Sequence, residues 1–154
     1  MHFIKLALLS FLFLFLVVTG ISLFIPSHIR ISKATNLAVP ADSAWRLIRD
    51  TAHWKEWHPW FMQSPGLVSQ IGVNWTAQND SVSSVEMSQA TKKTLLNTWQ
   101  VHRYASTDSI TLQWYMDFHP RWYPWEKFGS LFYESSYGTV MEAGLANLRN
   151  RLSR

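Results

Sequence analysis

Cysteine is absent from this 154-residue chain. That excludes a disulfide framework, a thiolate metal site and lipid attachment through cysteine, and it leaves the redox compartment open. Charge is also scarce: Asp, Glu, Lys and Arg make up 16% of the residues, with a net charge of +4. The basic residues Arg46, Arg49, Lys92, Lys93, Arg103 and Arg121 are dispersed, and only Arg149, Arg151 and Arg154 cluster. Nucleic-acid binding calls for a basic stripe interleaved with stacking aromatics, so no nucleic-acid partner is expected. A mild attraction to an anionic membrane surface is the simpler reading of the charge. Nucleophile-elbow, phosphate-loop and dinucleotide-binding motifs are all missing, and no internal repeat or low-complexity tract occurs.

What the chain does have begins with an uncharged run from Leu6 to Ile25, rich in Leu and Phe. As a helix its twenty residues span about 30 Å, the thickness of a bilayer's hydrocarbon core. A cleaved signal peptide also opens on a basic residue, here Lys5, before an apolar stretch. This run is longer than a typical signal core, and no A-x-A-like site precedes Pro26. The sequence therefore predicts a retained single-pass anchor over residues 1–26 and one domain over 27–154. Arg30 and Lys33 after the run outnumber Lys5 before it, which tilts the positive-inside count toward a cytoplasmic domain by one charge.

Aromatic residues are the second abundance. Nine Trp, nine Phe and five Tyr make up 15% of the chain, and every Trp lies after the anchor. Each can bury ~150–250 Å², enough for a core in a small domain. Indole carries an N–H that needs a partner, so many Trp imply half-wet walls such as a cavity or a membrane-facing rim.

Alternation over Ile29, Ile31, Lys33, Thr35, Leu37 and Val39 predicts a strand. Pro40 then turns the chain into a helix over Ala41–Arg49 that buries Trp45 and Ile48, with Asp42 or Ser43 supplying acceptors for its first turn. A short helical turn over Thr51–Glu56 stops before Pro59. After weak strand material between Leu67 and Trp75, three strands are predicted over Val82–Ala90, Thr94–Arg103 and Ser109–His119. Short connections, one through Lys92 and Lys93, make them hairpins. A short helix is expected over Trp125–Glu134, with Glu126 and Lys127 at its start. From Thr139 a terminal helix carries Met141, Leu145, Leu148 and Leu152 on one face. The order describes an α+β arrangement: one curved antiparallel sheet with helices on one face and room for a ligand between them.

The segment Val39-Pro40, Trp45, Asp50, then Trp54, Trp57, Pro59 and Trp60 resembles the SRPBCC superfamily, the START/Bet v 1-like proteins, in their polyketide cyclase/dehydrase-related branch. Trp122-Tyr123-Pro124-Trp125-Glu126-Lys127-Phe128 and Gly144 to Leu148 resemble small membrane-anchored bacterial members. The resemblance implies a helix-grip: a seven-stranded antiparallel sheet wrapped around a long C-terminal helix and enclosing an apolar cavity. It also implies binding of a hydrophobic small molecule or lipid, with cyclase or dehydratase chemistry in some members. In this chain five or six strands are legible.

Three functions follow as expectations. The first is a membrane-anchored domain that binds a hydrophobic small molecule or lipid between sheet and terminal helix. The ligand-binding candidates are Trp57, Trp60, Trp75, Trp99, Trp114, Met116, Trp125 and Phe128, because pockets are aromatic-lined with few polar groups. The second is a cyclase- or dehydratase-like enzyme using Asp117, His119 or Glu126 for proton transfer near the end of the last strand. The third is an effector-sensing or protein-interaction module docking through the terminal helix. No metal and no cofactor are expected: His53 and His58 are five apart, unlike a helical zinc pair, and His102 and His119 fall on separate strands.

Overall fold

The computed structural model describes residues 2–67, 69–89, 94–105 and 107–153. The expected strand end at Ala90, the Lys92-Lys93 connection, and the contributions of Val68 and Arg154 lie outside those residues. The chain divides into two compact units, one of residues 1–29 with 118–133 and one of residues 30–117 with 134–154. The first unit joins the N-terminal apolar segment to residues 118–133, which the sequence assigns to the domain.

In the first unit, α1 runs from His2 to Ser22. Its segment Phe3–Ser22 is long and apolar enough to cross a membrane; Phe3 to Val17 are exposed, Val18 to Gly20 half-buried and Ser22 buried. The helix ends three residues before the expected Ile25, and Leu23 to Ile25 form a turn ahead of Pro26. Helix α5, Pro124–Ser130, opens with proline at its first turn. It is shorter than expected, ending at Ser130 instead of Glu134. Lys127 does not serve the helix start. It is buried, and its Nζ donates to the Ile25 carbonyl (2.8 Å) and to Ser27 Oγ (2.6 Å).

The second unit is built on a five-stranded antiparallel sheet of order β1-β5-β4-β3-β2. Its strands are β1 (Ile29–Leu37), β2 (Ile71–Gln78), β3 (Val82–Gln89), β4 (Leu95–Arg103) and β5 (Ile110–Phe118). These five, among the described residues, are two fewer than the resemblance implies. Period-two patterning decides the faces. Val85, Met87, Trp99, Val101, Leu112, Trp114 and Met116 are buried on one side. The other side is laced by polar bonds: Thr98 to Ser84 (3.0 Å), Gln113 to Ser32 (2.7 Å) and Thr111 to Asn36 (2.6 Å).

Helices cover the apolar face. Helix α2 (Ala41–Arg49) buries Ala41, Ala44, Trp45 and Ile48. Pro40 holds its cap position, so the cap has no side-chain acceptor. Asp50 instead caps the following turn, Thr51–His53, by accepting from the Ala52 N–H (2.9 Å). Helix α3 (Trp54–Trp57) stops before Pro59 as expected, but Pro59 then starts a further helix, α4 (Pro59–Gln63). Proline's fixed φ and missing N–H suit a first helical turn as well as they oppose a last one. A π-helical turn, Glu134–Gly138, leads into α6 (Thr139–Leu152), which packs on α2, α3 and α4. Met141, Leu145 and Leu148 are buried and Leu152 is half-buried, so this face is core rather than a docking surface. At Gly144 a Cβ would stand 2.8 Å from the Trp114 ring and 3.2 Å from Pro59 Cδ. Only glycine lets the helix approach that closely.

Candidate functional site

Trp114 is the hub of the space between sheet and α6. Its ring lies 5.4 Å from that of Trp99, 6.0 Å from Trp57 and 5.2 Å from His58, centroid to centroid. Trp99 is its direct cross-strand partner on β4. The irregular run α3-α4 delivers Trp54, Trp57, His58 and Phe61 onto this face, all without exposed surface. Of the eight expected ligand contacts, Trp57, Trp99, Trp114 and Met116 are thus brought together in one fully buried group. Trp60 and Trp75 flank it half-buried, Trp60 against His58 (5.2 Å) and Trp75 against Trp54 (6.1 Å). Trp125 and Phe128 belong to the other unit, where Trp125 is 65% exposed and stacks on Tyr123 (4.9 Å).

The buried group contains polar atoms that lack a hydrogen-bond partner among the described residues. Trp45, Trp54 and Trp57 donate their indole N–H to the carbonyls of Asp80, Ile48 and Leu47, and Trp114 donates to Asn97 Oδ1 (3.1 Å). Trp99 Nε1 has no acceptor, and neither Asn97 Nδ2, Ser83 Oγ nor either ring nitrogen of His58 is bonded. Ser83 faces Trp99 across the β3–β4 ladder, and Asn97 precedes Trp99 by two residues on the same face of β4. All four residues are therefore in or next to the Trp114 cluster. Leaving a buried polar group unpaired costs roughly 1–3 kcal/mol, and native interiors rarely gather several such groups without a reason. Burial pushes the His58 pKa down to about 3, so its imidazole is neutral at physiological pH, with one donor and one acceptor nitrogen. The set is neutral and rich in donors, a match for ligand oxygens or ordered water.

A second concave feature is an open groove of about 310 Å³ between edge strand β1 and α6, lined by Lys33, Thr35, Glu142, Leu145 and Arg149 among others. Lys33 at its side is clamped by Glu134 (2.8 Å) and Glu142 (2.7 Å), which raise its pKa to about 12. This groove does lie between sheet and terminal helix, yet none of the eight expected contacts lines it.

The proton-transfer candidates are each engaged by a neighbour. Asp117 is buried on the polar face of β5, opposite to Trp114 and Met116, and accepts a bidentate pair from Arg30 (2.8 and 3.1 Å). That pairing raises the Arg30 pKa. Glu126 accepts from the Arg121 backbone N–H (2.8 Å) and guanidinium (2.9 and 3.0 Å). His119 stacks on His28 at 4.8 Å. Among the described residues, no three His, Asp or Glu side chains group as metal ligands would.

Sequence reasoning passed over His58, Asn97 and Ser83 as binding groups. The signal was present for Asn97 and Ser83, each of which interrupts an otherwise apolar strand face, Asn97 beside Trp99 and Val101, Ser83 beside Val85 and Met87. His58 gave none, because nothing in W-x-x-W-H-P-W tells which way a side chain between two short helices will point.

No protein-family model matches the chain, and no curated protein matches its sequence. Solved structures do match. A START superfamily protein from Mycobacterium smegmatis aligns with a TM-score of 0.54 at 17% identity, over 80% of this chain and 97% of its own. The Zhui aromatase/cyclase from a Streptomyces species gives 0.50 at 12% identity, over 82% and 94%. A Staphylococcus aureus protein of unknown function gives 0.59 at 8% identity, over 82% and 94%. At such identities the likeness is one of fold. With its curved antiparallel sheet closed by a long C-terminal helix, this chain has the helix-grip fold of START-like proteins and polyketide aromatase/cyclases, the SRPBCC fold that its sequence resembles.

Proposed function

We propose that the protein is a membrane-anchored helix-grip domain that binds an apolar small molecule or lipid carrying at least one oxygen acceptor, seated on the Trp114 cluster. The observation that carries this reading is the group of unpaired polar atoms on Ser83, Asn97, Trp99 and His58 inside an otherwise aromatic interior. Apolar walls supply affinity and a few fixed donors supply orientation, the usual division of labour in a ligand pocket. The anchor reading draws on α1, and START-like neighbours make ligand binding the natural use of the fold. The buried rings must part to admit a ligand, so binding is coupled to movement of α3-α4 or α6.

The test is to purify the full chain from membranes in detergent and extract it for mass spectrometry. An oxygenated apolar compound should be enriched, and should be lost from a variant carrying Asn97→Leu and Trp99→Phe. Equal recovery from both proteins, or no enrichment from either, overturns the assignment.

A second reading, cyclase- or dehydratase-like chemistry, takes support from the aromatase/cyclase neighbours. It needs a proton-transfer group in the cluster. His58 is the titratable residue there, and a pKa near 3 makes it a poor base at neutral pH.

A further inference from the structure

Within the first unit, four large apolar side chains lie exposed over a short stretch: Trp122 (58%), Trp125 (65%), Leu131 (60%) and Phe132 (68%). Isolated surface hydrophobics are ordinary, but a dense group such as this marks an interaction surface. The stretch is fastened beside the end of α1. Lys127 is tied to Ile25 and Ser27, and His119 stacks on His28. Backbone bonds from Phe24 to Ile21 and from Ile25 to Ser22 (both 3.1 Å) keep the residues after α1 coiled. At about 2 Å rise per residue, Ile25 stands roughly 6 Å beyond Ser22. The headgroup layer on each side of a bilayer is also about 5–7 Å deep, the difference between roughly 40–45 Å overall and 30 Å of hydrocarbon.

We infer that residues 121–132 form a membrane-docking collar, which lays Trp122, Trp125 and Phe132 into the lipid headgroup layer around the exit of α1. The composition fits that layer: indole and phenol rings are apolar over their faces and polar at one edge, which concentrates Trp and Tyr at membrane interfaces. Tyr123 stacks on Trp125 (4.9 Å, 11° between ring planes) and is tilted against Trp122 (4.7 Å, 33°), so the three rings form one group. Local charges are already engaged: Arg121 lies over Tyr123 (5.1 Å) and is held by Glu126, and the Lys127 ammonium is folded inward. This group of rings can therefore enter the interface without dragging a bare charge with it. Lipid is favoured over a second copy of the chain because the segment is fastened at the depth where an anchored protein meets headgroups. The inference rests on α1 being a membrane anchor.

The absence of cysteine makes the test direct. Single variants Trp122→Cys, Trp125→Cys and Phe132→Cys are spin-labelled in the full chain, reconstituted into vesicles of phosphatidylcholine and phosphatidylglycerol. Leu12→Cys within α1 and Thr107→Cys, exposed in the other unit, serve as references. The collar labels should show an oxygen-to-nickel-chelate collision ratio several-fold above that at Thr107 and below that at Leu12. If Leu12 reports hydrocarbon while the collar labels match Thr107, the collar is wrong and the anchor stands. Should Leu12 itself report water, the anchor reading fails and takes the collar with it. Collar labels shielded from both reagents would assign the surface to a protein partner and overturn the lipid assignment.

Discussion

At the scale of single residues, His58 concentrates the tension in the domain. Its ring neighbours Trp54, Trp57, Trp60, Phe61 and Trp114 carry no charge to stabilise an imidazolium. Its pKa is therefore depressed from 6.5 to about 3 by burial. Between those values the unfolded chain binds a proton that the folded chain excludes. Stability is full above pH 6.5 and falls as pH drops through the window, by about 1.4 kcal/mol per pH unit at its steepest. Thermal unfolding of the full chain in detergent, followed by near-UV circular dichroism from pH 7 to pH 4, should show this slope. His58→Phe should remove His58's share of it, whatever that variant does to the midpoint at pH 7. An unchanged slope would mean that His58 is not sealed from solvent. Asp117 gives a contrasting forecast. Since its carboxylate serves Arg30 on the polar sheet face, Asp117→Asn should lower the unfolding temperature and leave ligand recovery intact; loss of ligand would return Asp117 to the site.

At the scale of elements, two contacts govern how pieces meet. Helix α6 reaches Trp114 because position 144 has no side chain. Gly144→Leu should lower stability by roughly 1–3 kcal/mol or more through overpacking, since Trp114 is fully buried and cannot swing aside. Chemical or thermal unfolding measures the loss directly. Lys127 ties α5 to the turn after α1, and Lys127→Ala leaves the Ile25 carbonyl without that donor. Faster hydrogen exchange over residues 23–28 and 124–130, with the sheet unaffected, is the expected result.

The elements were largely legible from the chain's own periodicities, and their handling of the site was not. Strand alternation in β1 and β5 and the spacing of Met141, Leu145 and Leu148 each report which way a side chain faces, because every turn of a regular element repeats the same geometry. The short helices α3 and α4 repeat too few times to do so. Pro59 was legible as a stop and not as a start, since its ring permits both. Whether Trp57 meets Trp114, or Ser83 meets Trp99, depends on non-local pairing that no local pattern encodes. Lys127 defeats sequence reading for a different reason: a lone lysine is ordinarily solvated, and its burial is explained by the Ile25 carbonyl and the Ser27 hydroxyl, about a hundred residues away.

At the scale of the whole molecule, the proposed membrane attachment is the reading most easily separated from the rest. An α1 that spans the bilayer predicts that alkaline carbonate and high salt leave the protein in the membrane pellet, and that detergent releases it. Release by salt alone would reduce attachment to a surface charge effect and remove the anchor from the proposed function. The fold likeness to START-like proteins and aromatase/cyclases would survive either outcome, because the aligned portion is about four-fifths of the chain.

The strand order has a consequence for synthesis. Of the five described strands β1 leaves the ribosome first, yet its neighbour in the sheet is β5, the last of them. Hairpins β2–β3, β3–β4 and β4–β5 can close as they emerge, whereas β1 must wait for Ile110 to Phe118. Long-range pairing of this kind slows folding and leaves an edge exposed meanwhile. If α1 is the proposed anchor, it enters the membrane by then and holds β1 close to one place while the rest of the sheet is made. Tethering the early strand shrinks the volume that the late one must search, so an anchored α1 would act as an assembly jig for the sheet.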